Sequence, residues 1–174
     1  MGDKLYLLTY KARTLFVYSR DEMQPIERWR IHGEGWGMTT DGDQLIYSDG
    51  SHRLYFISPA GRRIVRTLNV TEDGKALSRL NELEWIDGRI WANIWMTDRI
   101  VIINPASGEV EDSLDLQGLL PVPERRPDTL PLNGIAYNPA DGGIWITGKH
   151  WPWLYRIELV AQATTEAVPE TESR

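Results

Sequence analysis

Short strands dominate this sequence and their order repeats, so the fold class it predicts is all-β, arranged as a β-propeller. Three observations carry that prediction. Apolar residues alternate at period 2 in short runs bounded by Gly, Asp, Asn and Pro, and no convincing amphipathic helix interrupts them. A Gly/Asp turn, an apolar strand, a polar gap and a second apolar strand recur in that order four times. The matching positions Leu5, Leu45, Ile90 and Ile144 lie 40, 45 and 54 residues apart, the spacing of propeller blades built from four short strands. A plain sandwich does not require this repeated internal order.

Taken along the chain, the first copy runs Gly2-Asp3-Lys4-Leu5-Tyr6, then Leu15-Phe16-Val17-Tyr18. The second runs Gly42-Asp43-Gln44-Leu45-Ile46, then Leu54-Tyr55-Phe56-Ile57-Ser58-Pro59. The third runs Asp87-Gly88-Arg89-Ile90-Trp91, then Ile100-Val101-Ile102-Ile103-Asn104-Pro105, and the fourth Gly142-Gly143-Ile144-Trp145, then Leu154-Tyr155-Arg156-Ile157. Strands are expected over Leu5–Tyr10, Thr14–Tyr18, Gln44–Ser48, Leu54–Ser58, Ile64–Val70, Ile90–Ile94, Ile100–Asn104, Ile144–Thr147 and Leu154–Leu159. The nearest approach to a helix is the short stretch Leu77–Trp85. The long last interval holds a Pro-rich insertion, Pro121–Pro131. Residues 1–160 read as one propeller domain, and 161–174, rich in Thr, Glu, Ala and Pro without apolar period, as a disordered tail.

Composition narrows the function. Apolar residues make up 41% and charged residues 25%, enough for a packed core. The net charge of −6 argues against nucleic acid as a partner, which needs a basic face. With no cysteine, disulfides, thiolate metal sites and a Cys nucleophile are excluded. His32, His52 and His150 form neither an HExxH motif nor a close pair, so no metal is expected. No apolar run approaches the ~20 residues of a membrane span, and Met1-Gly2-Asp3-Lys4 does not open a signal peptide. The eight tryptophans are packing anchors or walls of a site.

Three stretches carry a more specific signal: Gly35-Trp36-Gly37-Met38-Thr39-Thr40-Asp41-Gly42 with Ser48-Asp49-Gly50-Ser51; Arg79-Leu80-Asn81-Glu82-Leu83-Glu84-Trp85 continuing through Gly88-Arg89-Ile90-Trp91-Ala92-Asn93-Ile94-Trp95-Met96-Thr97-Asp98; and Leu132-Asn133-Gly134-Ile135-Ala136 with Ile146-Thr147-Gly148-Lys149-His150-Trp151-Pro152-Trp153-Leu154-Tyr155. In order and spacing they resemble the plant and bacterial glutaminyl cyclases, collinearly from Gly2 to Leu159. The resemblance implies a five-bladed propeller, of which this chain covers about three and a half blades. It implies conversion of an N-terminal glutamine to pyroglutamate with loss of ammonia, with no metal or other cofactor. It implies a peptide or protein with N-terminal Gln as partner, and a periplasmic or secreted location. It also implies that the family's acid/base glutamate, in a Phe-Gly-Glu-Gly stretch, precedes residue 1. His32-Gly33-Glu34-Gly35 looks similar, but Trp36-Gly37 follows directly and places Glu34 one blade later, so Glu34 is not assigned that role.

The cyclisation needs a proton shuttle, donors for a developing oxyanion, and walls that fold the glutamine side chain back on its own amine. By resemblance Trp36 and Trp95 are such walls, and Tyr10 stands where the family has a pocket tryptophan; the competing reading makes them blade-packing aromatics. Trp85, Trp91 and Trp145 are expected in the core. The resemblance likewise implies that Asn81 hydrogen-bonds the substrate, against the alternative of a turn-closing Asn. It implies that Lys149 is the cation near the substrate carboxamide, against the alternative of a solvated loop lysine. Asn133 is a turn residue or a channel-lining one, and Asp49 a turn residue. Glu82 and Glu84 share one face at period 2, opposite Asn81; Glu82 is a site carboxylate or a buried structural acceptor. Ser48, Asp49 and His52 are not placed as a triad. A propeller that binds N-terminal peptides or partner proteins without catalysis is the alternative. Open blade edges are expected to favour self-association.

Overall fold

Alternating apolar residues build every sheet of this protein, whose computed structural model describes residues 1–160; the predicted disordered tail lies outside the described residues. The first sheet orders β1 (Lys4–Leu8), β2 (Thr14–Ser19) and β3 (Pro25–Arg30), and the second orders β4 (Gly37–Thr40), β5 (Leu45–Ser48), β6 (Arg53–Ser58) and β7 (Arg63–Asn69). After a small hairpin, β8 (Thr71–Glu72) and β9 (Lys75–Ala76), the third sheet orders β10 (Leu80–Ile86), β11 (Arg89–Ile94), β12 (Arg99–Ile103) and β13 (Val110–Asp115). The fourth orders β14 (Leu132–Asn138), β15 (Gly143–Gly148) and β16 (Tyr155–Ile157), reached through a turn of 3-10 helix at Val122–Glu124. Each sheet is an antiparallel meander in chain order, the blade unit of a propeller.

The repeat positions Leu5, Leu45, Ile90 and Ile144 fall on β1, β5, β11 and β15. Sheet one therefore corresponds to strands two to four of a blade, and sheet four to strands one to three. The two middle sheets have all four strands.

Period 2 explains how the blades stack. In the second sheet Leu45, Tyr47, Tyr55 and Ile57 face Leu15, Val17 and Trp29 of the first, while Ile46, Leu54 and Phe56 face Leu80, Leu83, Ile90 and Ala92 of the third. In the third sheet Trp91 and Ile100 turn the other way, onto Leu132, Ile135, Ile144 and Ile146 of the fourth. Strands buried on both faces read as unbroken apolar runs. Trp91 is core as expected; Trp85 is half-buried against the core between the second and third blades.

The one expected hint of helix proves to be strand from Leu80 onward. Leu80 and Leu83 are both fully buried although three residues apart, because a bulge interrupts the pairing of β10 with β11 between them. A bulge adds one residue to one strand and so turns a spacing of two into three, which imitates the spacing of one helix turn. Leu132 and Ile135 repeat the device on β14 against β15.

Candidate functional site

In an antiparallel blade the start of the first strand and the end of the second lie at the same end. Residues at those positions in all four sheets converge on one pocket of about 290 Å³, lined by Tyr10, Gly35, Trp36, Asn81, Trp95 and Lys149. Tyr10 follows β1, Gly35 and Trp36 precede β4, Asn81 lies on the β10 bulge, Trp95 follows β11 and Lys149 follows β15. Five side chains expected at the site from sequence are thus gathered at one mouth of the blade array.

The aromatic walls are set edge to face. The Trp36 and Trp95 ring centres are 6.1 Å apart at 78°, and those of Tyr10 and Trp36 6.2 Å apart at 76°. Lys149 Nζ stands 4.8 Å from the centre of the Trp95 ring, so the ring face holds the ammonium at the pocket. Trp36 Nε1 donates to Glu34 Oε2 at 2.9 Å, and its backbone N–H donates to the Ser48 carbonyl at 2.9 Å. A side chain at Gly50 would place its Cβ 2.7 Å from Trp36 Cε2, so the indole occupies space that only glycine leaves open.

Backbone conformation sets Trp95 and Lys149 alike. One residue beyond each, Met96 and His150 adopt positive φ, at 68° and 62°, and Gly50 does so at the equivalent place in the second blade at 82°. Arg79, two residues before Asn81, has φ of 69°; its carbonyl accepts from Trp95 N–H and its N–H donates to the Gly50 carbonyl, each at 2.9 Å. Left-handed backbone costs a non-glycine residue roughly 1–2 kcal/mol, and such residues gather at ligand sites. Asp49, equivalent to Trp95 and Lys149, serves its turn instead: its carboxylate accepts from Ser51 Oγ at 2.6 Å and from the Tyr55 hydroxyl at 3.0 Å.

Glu82 and Glu84 do face one way, as period 2 requires, and that way is the fourth blade. Glu82 Oε2 accepts from Ile135 N–H and Glu84 Oε1 from Tyr137 N–H, both at 2.9 Å, so the carboxylates serve N–H groups on the free side of β14. Burial pushes the Glu82 carboxyl up to about 8, and the Glu84 charge adds to the rise against the Ile135 and Leu83 N–H groups. Burial also raises Glu84, opposed by Tyr137 N–H and the Thr39 hydroxyl. Glu82 is not among the pocket-lining residues, and neither is Asn133. Asn133 Oδ1 is buried without a hydrogen-bond partner, as is Nδ2 of Asn93, whose Oδ1 accepts from Gly134 N–H at 3.0 Å.

Sequence reasoning missed the Glu34 bond to Trp36 and the bracing role of Arg79. The Glu34-Gly35-Trp36 spacing was the available signal for the first; nothing local marks Arg79 for positive φ.

Antiparallel meanders of three or four strands, stacked face to face with a pocket assembled at one end of them, define a β-propeller. The profile of the family described as Glutamine cyclotransferase matches residues 1–159, and this chain belongs to that family. It is 34% identical over 164 residues to the glutaminyl-peptide cyclotransferase of Arabidopsis thaliana, a match covering 91% of this chain and 51% of that protein. This chain therefore spans about half the length of that relative. The glutaminyl cyclase of Myxococcus xanthus superposes with a TM-score of 0.82 at 36% identity, over 90% of this chain and 68% of that one. The WD40 domain of Toxoplasma gondii coronin, at 13% identity and a TM-score of 0.56 over 84% of this chain and 37% of that one, shares the fold.

Proposed function

We propose that this chain carries the glutamine-binding pocket of a glutaminyl-peptide cyclotransferase, converting N-terminal glutamine of a peptide or protein to pyroglutamate with release of ammonia. The observation that carries the reading is the convergence of Tyr10, Trp36, Asn81, Trp95 and Lys149 on one pocket.

In the reaction the α-amine nitrogen bonds to the γ-carboxamide carbon, the carbon–NH₂ bond breaks, and a proton passes from the attacking amine to the departing nitrogen. The perpendicular Trp36 and Trp95 rings fold the flexible side chain into a ring-like shape and exclude water, replacing entropy the reaction would otherwise lose at the barrier. Lys149, fixed over Trp95, donates to the carboxamide oxygen where negative charge develops. Asn81 donates and accepts at once, and so orients the amine or the first peptide group. Glu34 is engaged with the Trp36 indole and Glu82 with the β14 backbone, so neither is assigned the proton transfer.

The test is ammonia release and the matching mass loss from a Gln-Ala-Ala peptide. Lys149→Ala and Trp36→Ala are expected to lower kcat/KM or peptide affinity at least about tenfold, the scale of one lost charged hydrogen bond. Peptide binding without ammonia release assigns recognition without chemistry to this chain. The absence of both binding and release contradicts the reading. Self-association belongs to the same proposal: Leu5, Leu7 and Ile26 are exposed on the outer face of the first blade, beside Tyr18 and Phe16 across the strand pairs. Size-exclusion chromatography showing only monomer at high concentration opposes it.

A further inference from the structure

The Pro-rich insertion, the longest departure from the blade repeat, is fastened to the loop that presents Lys149. Leu130 N–H donates to the Lys149 carbonyl at 3.1 Å, and Lys149 N–H donates to the Pro131 carbonyl at 3.3 Å. Trp151 Nε1 donates to the Leu130 carbonyl at 2.8 Å, and His150 Nδ1 lies 3.2 Å from Asp128 Oδ2. Trp153 Nε1 donates to Glu124 Oε2, and the Trp153 carbonyl accepts from Thr147 Oγ1 at 2.9 Å. Insertion and loop thus form one platform beside the pocket. On it Trp153 is 56% exposed and Val122 80%, with Leu130 also exposed, among the charged side chains of Glu124, Arg125, Arg126 and Asp128. The indole N–H of Trp153 is already satisfied within the chain, which leaves its ring faces for contact with a ligand.

Trp153 is four residues beyond Lys149, so with at most about 3.5 Å per residue the two lie within about 14 Å. An extended peptide advances about 3.3 Å per residue, which puts its third and fourth residues about 7–10 Å from its first. We infer that Trp153, Val122 and Leu130 form a second subsite, which takes apolar side chains at the third and fourth positions of a peptide whose N-terminal glutamine occupies the pocket. This rests on the reading of the pocket proposed above.

The experiment compares dissociation constants, by calorimetry on the whole chain, for Gln-Ala-NH₂, Gln-Ala-Leu-Leu-NH₂ and Gln-Ala-Ser-Ser-NH₂. The Leu-Leu peptide is expected to bind about tenfold tighter than the dipeptide, the scale of one well-buried apolar side chain, and the Ser-Ser peptide equally to it. Trp153→Ala is expected to bring the Leu-Leu to dipeptide ratio near one. Val122→Asp, at a position exposed enough to leave folding untouched, is expected to do the same in part. If no Gln-initiated peptide binds, the pocket reading falls and this inference with it. If the dipeptide binds but the Leu-Leu advantage is absent, or survives both substitutions, the subsite alone is overturned.

Discussion

Leu80-Asn81-Glu82-Leu83 and Leu132-Asn133-Gly134-Ile135 open the inner strands of neighbouring blades with the same pattern and the same bulge, yet the first brings its asparagine to the pocket while the second leaves an asparagine oxygen buried and unpartnered. What differs is the bracing. The β10 bulge is packed against the main chain of β4, where Gly37 lies so close that a Cβ there would sit 2.6 Å from Glu82 Cα, and it gains one side-chain bond, Ser48 Oγ to the Asn81 carbonyl at 2.6 Å. The β14 bulge is held by side chains of the third blade, with Glu82 on Ile135 N–H and Asn93 on Gly134 N–H. The bulge that carries the pocket-lining asparagine is held chiefly by close main-chain packing, which cannot adjust; its copy is held by groups that can rearrange or titrate.

The sharpest way to break this comparison is at the two glycines. Gly37→Ala forces a methyl into Asn81 and Glu82 main chain and is expected to cost about 3 kcal/mol or more, read by denaturant unfolding. Gly134→Ala meets only the Thr147 methyl, at 2.8 Å, and is expected to cost about 1 kcal/mol. Equal losses would remove the distinction between backbone and side-chain bracing.

The titratable brace comes next. Glu82 has a folded pKa of about 8, above its unfolded value. The stability it contributes is therefore complete below about pH 4 and is lost as pH rises toward 8, where the buried carboxyl must ionise. Thermal unfolding is expected to weaken across that window by a few kcal/mol in the wild type. In Glu82→Gln, which keeps an acceptor for Ile135 N–H, the decline is expected to shrink to the share that the raised Glu84 provides. An unchanged pH profile would show that Glu82 is not the titrating brace. The smallest effect separates the asparagines: Asn81→Ala is expected to weaken Gln-peptide binding about tenfold, and Asn133→Ala by less than about threefold, with both proteins folded.

Strands with both faces buried were readable in sequence, as were β2 and the largely exposed β7. β5, β6, β11 and β12 are runs of aliphatic and aromatic residues, and all were expected close to their observed limits. Outer strands β3 and β13 were not, because Arg28 and Arg30, or Glu111 and Asp112, face solvent and leave no apolar period. Inner strands β10 and β14 were obscured by their bulges, since two leucines three residues apart suggest a helical face. The pocket residues became legible through the family-like motifs, whereas periodicity alone left Trp36 and Trp95 open between wall and core. The Glu82 brace reaches Ile135 across 53 residues, and the Trp153 staple reaches Glu124 across 29; pairings of that kind leave no local trace.

The pocket itself is tested most directly by following the eight tryptophan indole N–H resonances during titration with a Gln-Ala-Ala peptide, with Trp36→Phe and Trp95→Phe to assign two of them. Binding between the perpendicular rings predicts large shifts for Trp36 and Trp95 and none for Trp29 and Trp91, which are buried between blades. Saturable binding that leaves the Trp36 and Trp95 signals in place would contradict the account.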